Sequence, residues 1–107
     1  MSGSYFNTAL SNTPIEVVAK PNAITFLNVE NPGASKAYLQ LHDELESEVT
    51  LGTSVPRRSF LIPAGGAYDL PKSFLENAVA LTIAATTTPG GSTAPGTALL
   101  VNLDYTR

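Results

Sequence analysis

The chain contains no cysteine, and this absence removes several kinds of chemistry at once. Without a thiol the protein has no disulfide framework, no cysteine nucleophile and no zinc site built from cysteine ligands. The sequence therefore does not indicate whether the protein works in a reducing or an oxidising compartment. Histidine is almost as scarce, since His42 is the only one. Nothing in the sequence suggests a metal site with histidine and cysteine ligands.

Charged residues are also scarce. They make up 14% of the 107 residues, whereas about 25% is usual in globular proteins. Six basic residues face nine acidic ones, which gives a net charge of −3. No basic face is available to release counterions from phosphates, so nucleic acid is not an expected partner. A surface covered mainly by neutral polar residues suits burial against other copies or other chains, because fewer ions lose their water there.

Long apolar runs are missing as well. No segment approaches the roughly eighteen consecutive apolar residues of a membrane-spanning helix, so no membrane contact is expected. The stretch 1–14 has neither the basic start nor the apolar centre of a secretory signal peptide. These absences predict a soluble protein that is not exported by such a signal.

The pattern that is present is that of short β-strands. Alternating or wholly apolar runs are separated by turns rich in Pro, Gly and Asn, and helical periodicity is almost missing. Strands are predicted at 15–19, 23–29, 36–42, 59–62, 67–70, 79–86 and 98–105. A short connection over 72–77 carries two apolar anchors. We predict an all-β chain that forms a single antiparallel Greek-key β-sandwich, immunoglobulin-like or jelly-roll-like, with about seven strands.

The domain organisation follows from where the strands begin. Residues 15–107 are predicted to form the β-sandwich domain, and residues 1–14 an N-terminal arm. Tyr5 and Phe6 are the only sizeable anchors in this arm, so they are candidate contacts with a neighbouring subunit. The alternative is a frayed terminus without a role.

A search for catalytic groups finds little. His42 lies on the predicted strand 36–42, on the face opposite Ala37, Leu39 and Leu41, and is predicted to be a surface residue rather than a general base. The acidic run 43–48 lacks the glycine and the ligand spacing of a calcium loop, so it is predicted to be a solvated turn. No catalytic residue, metal or cofactor is predicted.

Arg57 and Arg58 are the only adjacent basic residues. An arginine pair can grip a carboxylate or a phosphate. The alternatives are that the two side chains are solvated, or that they bridge to an acidic neighbour such as the 43–48 run of an adjacent copy. Both arginines are therefore candidate partner-binding residues, together with Tyr5 and Phe6.

Several segments, taken together, resemble a group of small proteins encoded by tailed bacteriophages and prophages. They are Asn31-Pro32, Tyr38-Leu39-Gln40-Leu41, TLGT at 50–53 with Pro56, LIPAGG at 61–66, VALTIAATT at 79–87, GSTAP at 91–95 and VNLDY at 101–105. The resemblance covers roughly 28–105. It implies a β-sandwich that serves as a virion structural protein, with a capsid decoration or cement role favoured among the possible roles.

This resemblance also implies partners and a location. The expected partner is the major capsid protein, bound by a homo-oligomer with a trimer favoured, in virions assembled in the host cytoplasm. Tail or baseplate modules share the same fold and remain an alternative. A second alternative is a carbohydrate-binding module on the virion, for which Tyr38 and Tyr68 are candidate exposed aromatics. A small hydrolase is disfavoured because His42 stands alone.

Overall fold

The computed structural model describes residues 2–70 and 79–107. Within these ranges the chain forms eight strands and one short 3₁₀ turn, Glu46–Glu48. The strands are β1 (Ser2–Leu10), β2 (Ile15–Ala19), β3 (Ala23–Glu30), β4 (Ala37–His42), β5 (Arg58–Ile62), β6 (Ala67–Leu70), β7 (Ala80–Thr86) and β8 (Leu99–Thr106). The connection predicted over 72–77 lies outside the described residues.

The strands form two antiparallel sheets of four. The first sheet has the order β1-β8-β3-β6, and the second has the order β2-β7-β4-β5. Four of the pairings are nested, because β1 pairs with β8, β2 with β7, β3 with β6 and β4 with β5. The chain is thus a long hairpin folded over itself. The pairings of β3 with β8 and of β4 with β7 then join the nested strand pairs into the two four-stranded sheets. This is the strand order of a jelly roll, so the predicted all-β sandwich is confirmed, with eight strands.

The eighth strand comes from the predicted N-terminal arm. Instead of extending away from the domain, residues 2–10 form β1, which pairs with β8 from Ser2 opposite Thr106 to Leu10 opposite Leu99. The physical reason is that alternate residues of β1 meet the core: Tyr5 packs against it and Leu10 is fully buried. Small polar residues around these anchors mask the strand pattern in the sequence.

The inner faces of both sheets supply one apolar core. In β4 its members are Ala37, Leu39 and Leu41, as the alternation predicts. In β3 the predicted alternation is interrupted, because the register with β8 shifts between Ile24 and Phe26. This bulge places one extra residue in β3. Ile24 and Leu27 therefore both reach the core, and Phe26 points to the opposite face.

The outer face of the second sheet is covered by two loops. All seven residues of β7 are buried, although only alternate ones face the inner core. The Thr82 hydroxyl donates to the carbonyl of Glu44 at 2.7 Å, which holds the acidic segment over one end of the strand. The loop 87–97 covers the other end, where the Gln40 amide donates to the carbonyl of Gly91 at 3.1 Å. Backbone carbonyls of this loop thus anchor it to the sheet.

Candidate binding face and a buried polar chain

The outer face of the first sheet has no such cover among the described residues. From here on, "the outer face" means this solvent-facing side of the β1-β8-β3-β6 sheet. Its central rows follow from the strand register: Phe6 lies opposite Asn102 and Asn102 opposite Asn28, while Ser4 lies opposite Asp104. Phe26 also lies opposite Asp104. Phe6 is 61% exposed and is the large apolar residue that projects from this face in β1.

The polar side chains of the outer face are linked to one another. Ser4 Oγ donates to Asp104 Oδ1 at 2.8 Å, and Asn28 Nδ2 donates to Asp69 Oδ1. Asn102 Nδ2 approaches Asn28 Oδ1 at 3.5 Å, the longest of these contacts. Because each group has a neighbour in the sheet, the amides and carboxylates are held in fixed orientations without being buried.

A shallow groove crosses this face. Its volume is about 350 Å³, which lies at the lower end of the roughly 300–1,000 Å³ of small-molecule sites. Phe6 and Phe26 supply its apolar walls, and Ser4, Asn102 and Asp104 supply its polar groups. Among residues 2–70 and 79–107, no basic side chain lines it. The chemistry on offer is therefore aromatic contact combined with amide, hydroxyl and carboxylate hydrogen bonding, and an anionic ligand would meet Asp104 without a compensating cation.

The structure separates the two side chains proposed as anchors in the N-terminal segment. Phe6 points outward into the groove, whereas Tyr5 lies on the inner side of β1 and packs partly buried against the core. The Tyr5 hydroxyl accepts a hydrogen bond from Asn7 Nδ2 at 2.9 Å. Phe6 is therefore the member of this pair with a ring free to touch a partner.

The two candidate arginines lie at the other edge of the sandwich. Arg57 Nη1 is 3.1 Å from Asp43 Oδ2 of the same chain, so the acidic run does supply its partner, but within one molecule. Arg58 begins the edge strand β5 and donates to the carbonyl of Arg57 at 3.0 Å. The structure does not bring Phe6 and the arginines onto one surface, since β1 and β5 belong to different sheets.

The two tyrosines considered for carbohydrate contact differ in position. Tyr68 is partly buried, and its ring stacks at a tilt on Phe60 with 4.9 Å between the ring centroids, which joins the edges of the two sheets. Tyr38 is half-buried in β4. Neither lies beside the exposed ring of Phe6.

His42 is not a surface residue, so that prediction is wrong. Its side chain is fully buried beneath the covering loops, and its Nε2 lies 2.8 Å from Gln40 Oε1. The Gln40 amide donates to Thr86 Oγ1 at 2.8 Å, and the Thr86 hydroxyl donates to the carbonyl of Thr88 at 2.7 Å. We call these residues the buried polar chain.

The direction of the buried polar chain fixes the state of His42. Since the Thr86 hydroxyl gives its proton to Thr88, it must accept from the Gln40 amide, and Gln40 Oε1 is left as an acceptor for His42. His42 therefore carries a proton on Nε2. Among the residues that the structure describes, its Nδ1 has no hydrogen-bond partner. Burial lowers the pKa of His42, and nearby Glu44 opposes this effect.

The acidic segment has a structural role in the described part of the chain. Glu46 Oε1 accepts from the Glu16 backbone N–H at 2.8 Å, and Glu16 Oε1 accepts in return from the Glu46 backbone N–H at 3.0 Å. Asp43 accepts from the N–H groups of Val79 and Ala80 at the start of β7. Across residues 2–70 and 79–107, no group of three or more acidic or histidine side chains is arranged to hold a metal ion. No helix within those ranges is long and apolar enough to span a membrane.

Sequence reasoning missed the polar part of the groove. Asn102 and Asp104 alternate with Val101 and Leu103 in β8, so their outward direction was readable from the sequence. Their meeting with Phe6 was not, because it requires the pairing of β1 with β8. The position of Phe26 was hidden by the bulge in β3.

Comparison with known proteins adds little to this geometry. No protein-family model matches the chain, and no curated protein matches it. A crystal structure of PirA is similar over 97% of this chain and 92% of the PirA chain, with 14% sequence identity and a TM-score of 0.49. A likeness this weak carries no conclusion about function.

Proposed function

We propose that this protein is a non-enzymatic structural component of a tailed-bacteriophage virion, a capsid decoration or cement protein that binds and stabilises the lattice of the major capsid protein. The observation that carries this proposal from the structure is the exposed side chain of Phe6 on a sheet face that no described loop covers. The choice of a virion partner comes from the resemblance over 28–105.

Physical features of the outer face support a binding role. Large rings that are exposed in a concave setting are typical anchors of protein interfaces, where aromatic residues are enriched and charged ones are depleted. Jelly rolls are common in viral capsid domains, which agrees with a virion setting at the level of fold alone. On a shell with many equivalent sites, weak contacts by many copies add up through multivalency.

The first test is the abundance of the chain in virions of the phage that encodes it. Quantitative mass spectrometry against the major capsid protein should give a ratio comparable to that of the shell subunit. A trace ratio would place the protein in the tail or neck, and absence from the virion would overturn the proposal.

The second test asks whether Phe6 makes the contact. Deleting residues 1–13 is unsuitable, because it would remove β1 and uncover β8. Instead, Phe6→Ser should lower co-sedimentation with capsids that lack this protein by at least about tenfold, the equivalent of about 1.4 kcal/mol. The matched control is Leu61→Ser, which changes a 47% exposed apolar residue on β5 in the other sheet. Equal binding by both variants would remove Phe6 from the interface.

A carbohydrate-binding module is the second candidate function, and the groove favours it. Two phenylalanine rings beside Asn102 and Asp104 combine apolar walls with a few fixed polar groups, as small-molecule sites do. A neutral glycan fits this lining, because its hydroxyls can both donate to Asp104 and accept from Asn102.

A glycan array separates the two candidates. A carbohydrate module should retain one class of neutral glycan, lose it in Asn102→Ala, and keep it in the control Asn22→Ala, which alters an exposed turn residue. If the protein binds no glycan on the array, or if Asn102→Ala binds the same glycans equally well, the groove is excluded as the sugar site.

A further inference from the structure

The exposed edges of the two sheets differ in how they are protected. An edge strand offers unpaired N–H and C=O groups to other chains, and proteins usually block it with charge, proline, bulges or short length. Three of the four edges follow this rule. The edge strand β2 has five residues and contains Glu16. The edge strand β5 has five residues and begins with Arg58, and β6 has four residues with Asp69 among them.

The fourth edge, β1, lacks the usual charge and length protection. It has nine residues, SGSYFNTAL, with no charged side chain and no proline. Among the described residues it pairs with β8 alone. One irregularity lies near its end, between Asn7 and Leu10, where the N–H of Ala9 already donates to Asn7 Oδ1 at 2.8 Å. From Ser2 to Asn7 the strand is regular and uncharged, so its outer edge can pair with a strand of another chain.

We infer that two copies of this chain pair through β1, antiparallel and about a two-fold axis, so that two first sheets join into one continuous sheet. Charge favours this edge over the other three for contact between two copies. Each chain carries a net charge of −3, which opposes self-association, so two copies meet at the lowest electrostatic cost where neither strand carries a charged side chain. The contact of β1 with β1 is the pairing of described edges that brings no charged side chain to the seam.

Length and symmetry agree with this choice. A two-fold axis pairs a strand with an equal length of itself, so each free N–H on the regular part of β1 can find a C=O on the other copy. An edge of four or five residues that also carries a charge offers a poorer match.

The pairing has a consequence for the outer face. Residues that lie opposite each other in an antiparallel pair point to the same side of the sheet. The two Phe6 rings would therefore project from one surface, with the two grooves on either side of the seam. The dimer presents its binding face twice in one direction, which raises avidity for a repeating partner. This inference stands independently of the proposed virion role, and it differs from the trimer that the resemblance favours.

Sedimentation velocity tests the inference directly. The 11.2 kDa chain should sediment as a dimer, and Ser4→Lys should shift it to a monomer, because each seam then carries two added positive charges. The control Ser47→Lys makes the same change in the exposed 3₁₀ turn and should leave the dimer intact. A monomer in the wild-type protein, a trimer, or a dimer that Ser4→Lys leaves intact would each overturn the inference.

A second measurement covers the case in which Ser4→Lys fails to fold. The chain has no cysteine, so a single nitroxide label can be placed through Ser4→Cys or through Ser47→Cys. Opposed backbones in a sheet are about 5 Å apart, so a label at position 4 should show strong dipolar broadening in the dimer. A label at position 47 should show none. Equal spectra at the two positions would exclude the seam.

Discussion

Replacing Gln40 with leucine should destabilise the fold by about 2 kcal/mol, because it breaks the buried polar chain at its centre. Gln40 is fully buried and joins three partners: its Oε1 accepts from His42, and its Nε2 donates to Thr86 and to the carbonyl of Gly91. Leucine has a similar volume, so the packing of β4 is largely preserved. The substitution therefore isolates the loss of hydrogen bonds from the loss of contacts.

The magnitude follows from what is left without a partner. The His42 Nε2–H stays buried and loses Gln40 Oε1 as its acceptor, which costs about 1–3 kcal/mol. The Thr86 hydroxyl keeps its bond to Thr88, and the Gly91 carbonyl lies near the surface, where water can replace the lost donor. In a domain of about this size, 1 kcal/mol shifts Tm by about 4–8 °C, so Tm should fall by about 8–16 °C.

Urea unfolding followed by far-ultraviolet circular dichroism measures this change, and the absence of tryptophan makes fluorescence less suitable. Ser59→Ala is the matched control: Ser59 lies opposite Gln40 in the neighbouring strand, and within the described ranges its buried hydroxyl has no hydrogen-bond partner. It should be neutral or slightly stabilising. The double variant Gln40→Leu with His42→Leu should recover part of the loss, because both polar partners are then gone. A loss below about 0.5 kcal/mol in Gln40→Leu, within the usual range of surface substitutions, would refute this account of the chain.

Two further predictions concern residues near the buried polar chain. The pKa of His42 is about 6.5 in the unfolded chain and is lowered in the fold, chiefly by burial, so the unfolded state binds a proton first as the pH falls. The free energy of unfolding should therefore drop as the pH is lowered below 6.5 and level off beneath the folded-state pKa. Urea titrations across this range should show a drop that is absent in His42→Gln, and parallel curves for the two proteins would contradict it. Asp43→Ala removes the acceptor of the Val79 and Ala80 N–H groups and the ion pair with Arg57, and should cost about 2 kcal/mol. Asp43→Asn keeps an acceptor oxygen and loses only a half-exposed ion pair, so it should cost less than about 1 kcal/mol. Equal losses in the two Asp43 variants would show that charge, not hydrogen bonding, holds the start of β7.

Much of the fold was predictable because its strands alternate in a regular way. The inner residues of β4 were placed correctly by period-two reasoning, since burial on one face demands that pattern. β1 was not recognised as a strand, because its residues are small and polar and its stability comes from pairing with β8 at the far end of the sequence. Local composition carries no record of such a distant partner.

The binding face and the buried polar chain were harder to predict, for two different reasons. Strict alternation would place Phe26 on the same face as Ile24, but the bulge between them changes which side Phe26 faces. His42 was assigned to the surface because polar residues usually face water. In this protein the loops 43–57 and 87–97 form a third layer over that side, and loops of this kind are read from sequence as exposed.

The nested pairing of the strands also affects the order in which the strands can pair during folding. β4 and β5 are closest in sequence and can pair early, followed by β3 with β6 and β2 with β7, whereas β1 must wait for β8. Closing a loop of about one hundred residues costs on the order of 4 kcal/mol in chain entropy, and folds dominated by such distant pairings form in about milliseconds to seconds. On the ribosome, β1 is synthesised long before its partner β8 and stays unpaired until β8 appears. The uncharged strand that carries Phe6 is thus the segment most in need of protection from other nascent chains.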